Sequence, residues 1–585
     1  MVHGFKRSKR SLVISLIVSL LMAAWVMLIS AKPAHAATPK TYYVNITTGQ
    51  DRSDYGLSTS TPFKNIQYAA DLTNPGDTVY VMNGTYYKTN DQDVFHVTRS
   101  GDTTGGYINY LAYPGHHPKL NAIDAWNHIV VSASYIKIDG FEIEGDNANL
   151  TLADGEARYN HYVQNKPTNT IDWNYVRKTQ TNGISIKPGV DLTTPHDIRI
   201  SNNIVHDVPG GGISAEKSDY VTVENNTVYN NSWYTLYATS GISFLTPKDA
   251  DSNTTLYKNV IRNNRVYNNK TLVKWEKTQD YSDGNGIIID STLKAPAYTG
   301  KTLVTNNLSY LNGGSGIHSY HSSNVDIINN TSYQNSSQLN YGEIFAQSSD
   351  QVNILNNILV ARTGKNINTN YSNTNVTTNY NVYDNGNPVV SGPNDIWSDP
   401  LFVNAASGDF HLSIGSKAID TGGASLTPTN DFDYNPRPRG AAPDRGAYES
   451  QNLIGNPSFE WGSLSGGWTK EQNSAGIAIQ NTGSYSGTYK AAFNTTAATK
   501  LSQTVTTPST KTYTVTAYVV TNIASNVIVG ADVAGVNQAQ QVVATGGYKK
   551  ITFTVNATAG QLIKVWISAP LSASGWVGID DVSVQ

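Results

Sequence analysis

The chain of 585 residues contains no cysteine. Disulfide staples, thiolate nucleophiles and cysteine-ligated metals are excluded, so packing and hydrogen bonds alone must hold the fold. Charge is also scarce: Asp, Glu, Lys and Arg make up 15% and the formal net charge is −3. Without a basic surplus there is no electrostatic footprint for nucleic acid or an anionic membrane. His116, His117 and His161 lack zinc-ligand spacing, and neither a Gly-rich phosphate loop nor a nucleophile elbow occurs. What is abundant is Gly (48), Tyr (36, against 12 Phe) and Asn, a β-rich and turn-rich composition poor in helix formers.

One long apolar run, Leu12 to Ile29, follows Lys6, Arg7, Lys9 and Arg10 and precedes Ala34-His35-Ala36. This is the pattern of a secretory leader (residues 1–36) cut after Ala36, which predicts a secreted, extracellular protein with no membrane contact after cleavage. The run is almost long enough to span a bilayer, so an uncleaved anchor is the alternative. No later segment is apolar enough to cross.

The mature sequence opens with a strand, Tyr42–Val44, and a short amphipathic helix from Phe63 to Leu72 whose Phe63, Ile66, Ala69 and Ala70 share one side. Such a helix can plug the open end of a stacked sheet. From about 106 to 360 the chain repeats. One strand type recurs as NGISIKPG (182–189), GGISAEKS (211–218), SGISFLTPK (240–248), NGIIIDST (285–292) and SGIHSYHS (315–322). A second recurs around Asn-Asn pairs starting at 202, 225, 263, 306, 329 and 356, with gaps of 23, 38, 43, 23 and 27 residues. The short gaps define one coil, and the gaps of 38 and 43 are a coil plus an inserted loop. Short strands with turn signals also suit a sandwich, but an asparagine at one place in every coil argues for a parallel solenoid with side chains stacked at a bend.

Period 2 then sorts the faces. Counting from each strand's glycine, the first and third followers point inward and the second and fourth outward: Ser185/Lys187, Ser214/Glu216, Ser243/Leu245, Ile288/Asp290 and His318/Tyr320. The segment DFDYNPRPRGAAPDRGAYES (431–450) suits a terminal cap and linker. After it, alternating Thr/Val/Tyr strands between NLIGNPSFEW and WVGIDDVSVQ form a separate β-sandwich over 451–585. The expected fold is all-β: a parallel β-helix over 37–450, then a sandwich.

The opening YYVN…TPFKNIQYAADLTNPGDTVYVMNGTYY, the Asn-Asn coils and the tail PDRGAYES resemble secreted right-handed parallel β-helix proteins, nearest to the family 9 polysaccharide lyases, over about 40–450. The last domain resembles jelly-roll carbohydrate-binding modules that begin NPSFE and end IDDVSV. The first resemblance implies β-elimination on an acidic polysaccharide, with a calcium ion held by aspartates and a lysine base after a Gly-aromatic pair. The matching position here, in Gly316-Ile317-His318, is histidine. The aspartate cluster falls on SDGNGIIID, where Asp283, Asn285 and Asp290 remain as calcium ligands without a contiguous Asp-Asp.

On this reading His318 is the base, Tyr320 the proton donor two residues along the same face, and calcium the Lewis acid on a uronate carboxylate. The bland alternative is a surface hydrogen bond between His318 and Asp290. Lys187 is a rival base, or a solvated lysine. Glu216 and Asp290 lie two coils apart, ~9.6 Å at ~4.8 Å per strand, near the carboxylate spacing of inverting glycosidases. A hydrolase is therefore the second reading, and a non-catalytic glycan-binding surface protein the third. On the inserted loops Trp233, Tyr234 and Trp275 offer faces for sugars, and Lys274 and Lys277 attract an anionic chain, unless these aromatics pack on the coil beneath. In the last domain Trp461, Trp468 and Trp576 are stacking candidates or core, and Asp580 and Asp581 a structural or cation site. The expected partner is a polysaccharide, met by a monomer.

Overall fold

The computed structural model describes residues 38–585 apart from 441, 451, 461 and 525. The expected leader and Trp461 lie outside the described residues.

Each coil gives one short strand to each of three parallel sheets, of eleven, nine and eleven strands. The coil of Ile317–Tyr320, Ser323–Ile328 and Thr331–Tyr333 is representative. The glycine-led strands build the nine-stranded sheet, and the strands that end in Asn-Asn build the first eleven-stranded one. Registers are unstaggered, so Ile129, Ile184, Ile213, Ile242, Ile287, Ile317 and Ile344 stand one above another, all buried. Each such side chain contributes about 1.5–3 kcal/mol of burial, and together they form the core that the period-2 sorting places inside. The parallel β-helix is the fold expected.

The two asparagines of each pair have different tasks. The first takes the left-handed conformation that turns the chain, with φ between 52° and 58° at Asn202, Asn225, Asn263, Asn306, Asn329 and Asn356. Asparagine tolerates this conformation better than other side chains with a Cβ. The second points inward and stacks. Asn203, Asn226, Asn264, Asn307, Asn330 and Asn357 each donate backbone N–H and side-chain Nδ2 to the Oδ1 of the next, at 2.8–3.1 Å. The column passes to Asn381 and ends on Asp395 Oδ1, which accepts the Asn381 N–H at 2.7 Å. A second column, Asn231, Asn269, Asn312 and Asn335, runs down another corner and ends on the buried Glu343.

Residues 420–450 do not cap the end of the solenoid; they run back along its Asn-Asn corner. The outward asparagines hold them there: Asn356 donates to Gly423 O (2.7 Å), Asn306 to Asn430 O (2.7 Å), Asn263 to Phe432 O (3.0 Å) and Asn329 to Asp444 O (2.9 Å). Asn225 accepts from Tyr434 Oη at 2.7 Å. Inside this strap Arg437 and Glu449 pair at 2.7 Å, both side chains fully buried. Arg437 also donates to the carbonyls of Asp444, Gly446 and Ala447, the extra hydrogen bonds that a buried ion pair needs.

The amphipathic helix is present as Ile66–Ala70, with Phe63 buried just before it. Two helices that a β-rich composition does not announce, Leu152–Asn165 and Trp173–Arg177, interrupt the coils. Their local signal is Thr151 with Asp154, a reciprocal capping box. The C-terminal strands, from Thr469–Gln472 to Trp576–Val584, form two five-stranded antiparallel sheets with their own core. Trp468 lies in that core, its Nε1 donating to Asn456 O at 3.2 Å, and is closed to ligands. Trp576 is 44% exposed.

Asn307→Ala would strip acceptors and donors from Asn264, Asn330 and Ile261 at once. With about 1–3 kcal/mol for each orphaned buried group, a loss of roughly 3 kcal/mol or more is expected in urea denaturation. The exposed Asn394→Ala should stay within about 0.5 kcal/mol.

Candidate active site

The outer face of the nine-stranded sheet carries two columns of side chains. One runs Glu216, Leu245, Asp290, Tyr320, with Lys187 one rung before, since Ile186 pairs with Ala215. The other runs Ser185, Ser214, Ser243, Ile288, His318, Phe345. The residue after each member of the first column turns the chain with positive φ: Lys217 47°, Thr246 43°, Ser291 59°, His321 46°. The column therefore stands at the rim of the sheet, beside a cleft of about 550 Å³ lined by Lys187, Glu216, Asp290, Tyr320, Asp283 and Trp275, among others.

The inserted segments make the far wall. Tyr162 and Val176 of the two helices bury Leu236 between them, and Gly155 lies against Val273 and Tyr234, where a Cβ would clash. Glu276 is held by its N–H to Leu236 O and by an ion pair with Lys166. This fixes Trp275 and Lys277 over the cleft, with Tyr237 beside them.

Of the expected site residues, Lys187, Glu216, Asp290, Tyr320, Asp283 and Trp275 meet in this cleft. Others do not. His318 does point outward, yet it is only 6% exposed, and both ring nitrogens are buried without a hydrogen-bond partner. Phe345 covers it at 4.2 Å between ring centroids, with Tyr320 at 5.7 Å and Tyr341 at 6.2 Å. Burial alone pushes its pKa down to about 3. It cannot reach a substrate proton in this arrangement and is too weak a base to hold one. Trp233 donates Nε1 to Asn268 O at 3.0 Å and Tyr234 is buried, so both pack on the coil beneath. Lys274 is exposed and lies outside the cleft lining. Tyr237 and the serine column (Ser185, Ser214, Ser243) were legible as outward or loop residues but had no chemical signature to single them out.

The carboxylates differ in environment. Asp283 is pushed up to about 6, mainly by burial and further by the charge of Asp290, against hydrogen bonds from Ser282 and Ser240. Asp290 is also raised by burial, although Ser291 Oγ donates to it at 2.6 Å and His321, Lys294 and Lys277 oppose the shift. Glu216 pairs with Lys217 at 2.7 Å.

The calcium expectation does not fit this donor set. Asn285 is buried and its amide is consumed: Oδ1 accepts from Ser315 N (2.8 Å) and Oγ (2.7 Å), and Nδ2 donates to Ser240 Oγ and Asp283 Oδ1. Two carboxylates remain, against the six to eight oxygens calcium takes. Among the described residues, Glu142, Glu144 and His206 do converge, on the third sheet. The Lys119 ammonium already binds both glutamates, at 3.0 and 3.2 Å.

A three-sheet parallel solenoid with a carboxylate-bearing cleft on one outer face places the chain among the β-helix proteins. Residues 42–357, more than half of the chain, match the family described as Pel9A-like, right-handed beta helix region, and the chain belongs to that family. Similar solved structures include pectate lyase Pel9A (18% identity over 71% of this chain and 98% of that one, TM-score 0.44). Another is the GH136 lacto-N-biosidase from Eubacterium ramulus (15% identity, 59% and 56%, TM-score 0.37). A shorter part of the chain is similar to TmCBM61 in complex with β-1,4-galactotriose (22% identity, 23% of this chain and 99% of that one, TM-score 0.21). No curated protein matches the sequence.

A histidine whose folded pKa is lowered supports the fold above its ordinary value near 6.5 and costs stability as pH falls towards 3. His318→Leu should therefore be more stable than the parent, with the advantage growing by about 2 kcal/mol between pH 7 and pH 5, read by denaturation at both pH values. An equal advantage at both would mean that His318 is solvated.

Proposed function

We propose that this protein cleaves a polysaccharide laid along the nine-stranded sheet, using Asp290 and Glu216 as general acid and general base, as in an inverting glycoside hydrolase. The observation that carries the reading is their placement: one column, one rung (Leu245) between them, hence ~9.6 Å by strand spacing, near the ~6.5–9.5 Å of inverting pairs. Their environments separate the roles. Burial favours the protonated form of Asp290, while Glu216 stands at the rim paired with the Lys217 ammonium and can activate water. Asp283 stands beside Asp290 as a second proton store. Trp275, Tyr237 and Tyr320 offer ring faces for sugars along the cleft.

β-Elimination on an acidic glycan is the second reading, supported by membership of the Pel9A-like family and by Tyr320, whose rung abuts that of Asp290. With His318 covered, Tyr320 or the rival base Lys187, both in the cleft, would have to remove the C5 proton. Under either reading the C-terminal sandwich serves as a carbohydrate-binding module and the leader directs export, so the secreted protein should begin at Ala37.

Incubation with a panel of neutral and acidic polysaccharides decides between the routes. New reducing ends without ultraviolet absorbance from a C4–C5 double bond are expected, lost by at least about 100-fold in Asp290→Asn and Glu216→Gln, and unaffected by excess chelator. Absorbance that grows with the reducing ends would establish elimination instead. Silence across the panel would leave a glycan-binding protein.

A further inference from the structure

The column that carries Lys187 and Asp290 extends one rung further than the cleft uses. Ser132 follows Val131, which pairs with Ile186, so Ser132 and Lys187 stand on adjacent rungs at the same rim, tied by Lys187 N–H to Val131 O at 3.0 Å. Ser132 is half-buried, and its Oγ lies 3.0 Å from Nε2 of His96 on the rung before. His96 is clamped from behind by one glutamine: its N–H donates to Gln67 Oε1 at 2.7 Å and its carbonyl accepts from Gln67 Nε2 at 3.2 Å. Beside it is Asp93, 5% exposed, whose carboxylate accepts no hydrogen bond among the described residues. The charges that act on Asp93 are those of His96 and Lys187.

A hydroxyl hydrogen-bonded to an imidazole whose backbone is clamped, a buried carboxylate whose charge acts on that imidazole, and an ammonium without an ion-pair partner among the described residues are the parts of a nucleophilic hydrolytic centre. We propose that Ser132, His96 and Asp93, with Lys187 beside them, form a second catalytic site that hydrolyses O-acyl esters. The presence of an acylated glycan rests on the cleft reading above, but the ester chemistry does not.

The step balances as follows. Ser132 Oγ bonds to the ester carbonyl carbon as its proton passes to His96 Nε2, and the carbonyl oxygen gathers negative charge facing the Lys187 ammonium. The carbon–oxygen bond to the sugar breaks, and His96 returns the proton to the departing sugar oxygen. Water then attacks the acyl-serine, gives its proton to His96, and releases a carboxylic acid as Ser132 regains its hydrogen. Asp93 favours the imidazolium that forms twice in this cycle. Burial lowers the pKa of His96, which keeps the ring neutral and able to accept the serine proton near pH 7.

The full-length protein should react with a fluorophosphonate probe, with the adduct located on Ser132 by peptide mass spectrometry, and should hydrolyse p-nitrophenyl acetate. Ser132→Ala and His96→Gln should each abolish the adduct and reduce ester turnover about 100-fold or more. Labelling is scored on the unmodified chain, so a variant that misfolds does not blur the outcome. Absence of an adduct on Ser132, or turnover unchanged in Ser132→Ala, overturns the proposal. Acetate release and reducing ends are separate readouts, so failure of the ester site and failure of the cleft reading are told apart.

Discussion

The carboxamide of asparagine carries donors and an acceptor in one plane, and this is the constraint on which the solenoid depends. Stacked at the ~4.8 Å spacing of parallel strands, each amide satisfies its own coil and the next, so hydrogen bonds offset the desolvation of a corner full of buried polar groups. In a chain without cysteine, no covalent staple replaces this. Doubling the residue adds a second use. The inner asparagine locks one coil to the next, and the outer one turns the chain and grips the returning strap through Asn263, Asn306, Asn329 and Asn356.

That lock explains how the site is built. Asn226 bonds to Asn264 as well as Asn307 bonds to Asn330, although 38 residues separate the first pair and 23 the second. Extra chain between rungs leaves the stacking unchanged and must leave the solenoid sideways. It does so beside the nine-stranded sheet, where the inserted segments and the two helices wall a cleft whose floor is set by register. The floor is rigid because it is ladder, and the wall is specific because it is insertion.

The coils, the inward and outward faces and the outward column were all legible, because each follows from a period of two and a repeating amide. What was not legible is what comes from elsewhere in the chain. Periodicity places His318 outward, but outward on one rung is not exposed when Phe345 lies on the next and Tyr341 leans across. Asn285 reads as an oxygen ligand until Ser240 and Ser315 are seen to take both ends of its amide. The second asparagine column escaped notice because its doublets Asn230-Asn231 and Asn268-Asn269 become Leu311-Asn312 and Gln334-Asn335 further on. The turning residue changes while the stacked one persists. Tyr234 lies against a helix, at Gly155, that a composition count hides, although Thr151 and Asp154 marked where it begins.

Both asparagine columns end on a carboxylate, Asp395 for one and Glu343 for the other. An amide column has a direction, and at its last rung an asparagine would offer N–H groups to whatever arrived next. A carboxylate has none to offer when ionised. Glu343 closes its column inside the protein, its two oxygens paired with Asn335 N–H at 2.9 Å, Asn335 Nδ2 at 2.6 Å and Ser332 Oγ at 2.7 Å. Such a terminus works as punctuation: each carboxylate takes the last N–H groups of its column and finds its other partners within its own coil, Gly392 N–H for Asp395 and Ser332 Oγ for Glu343.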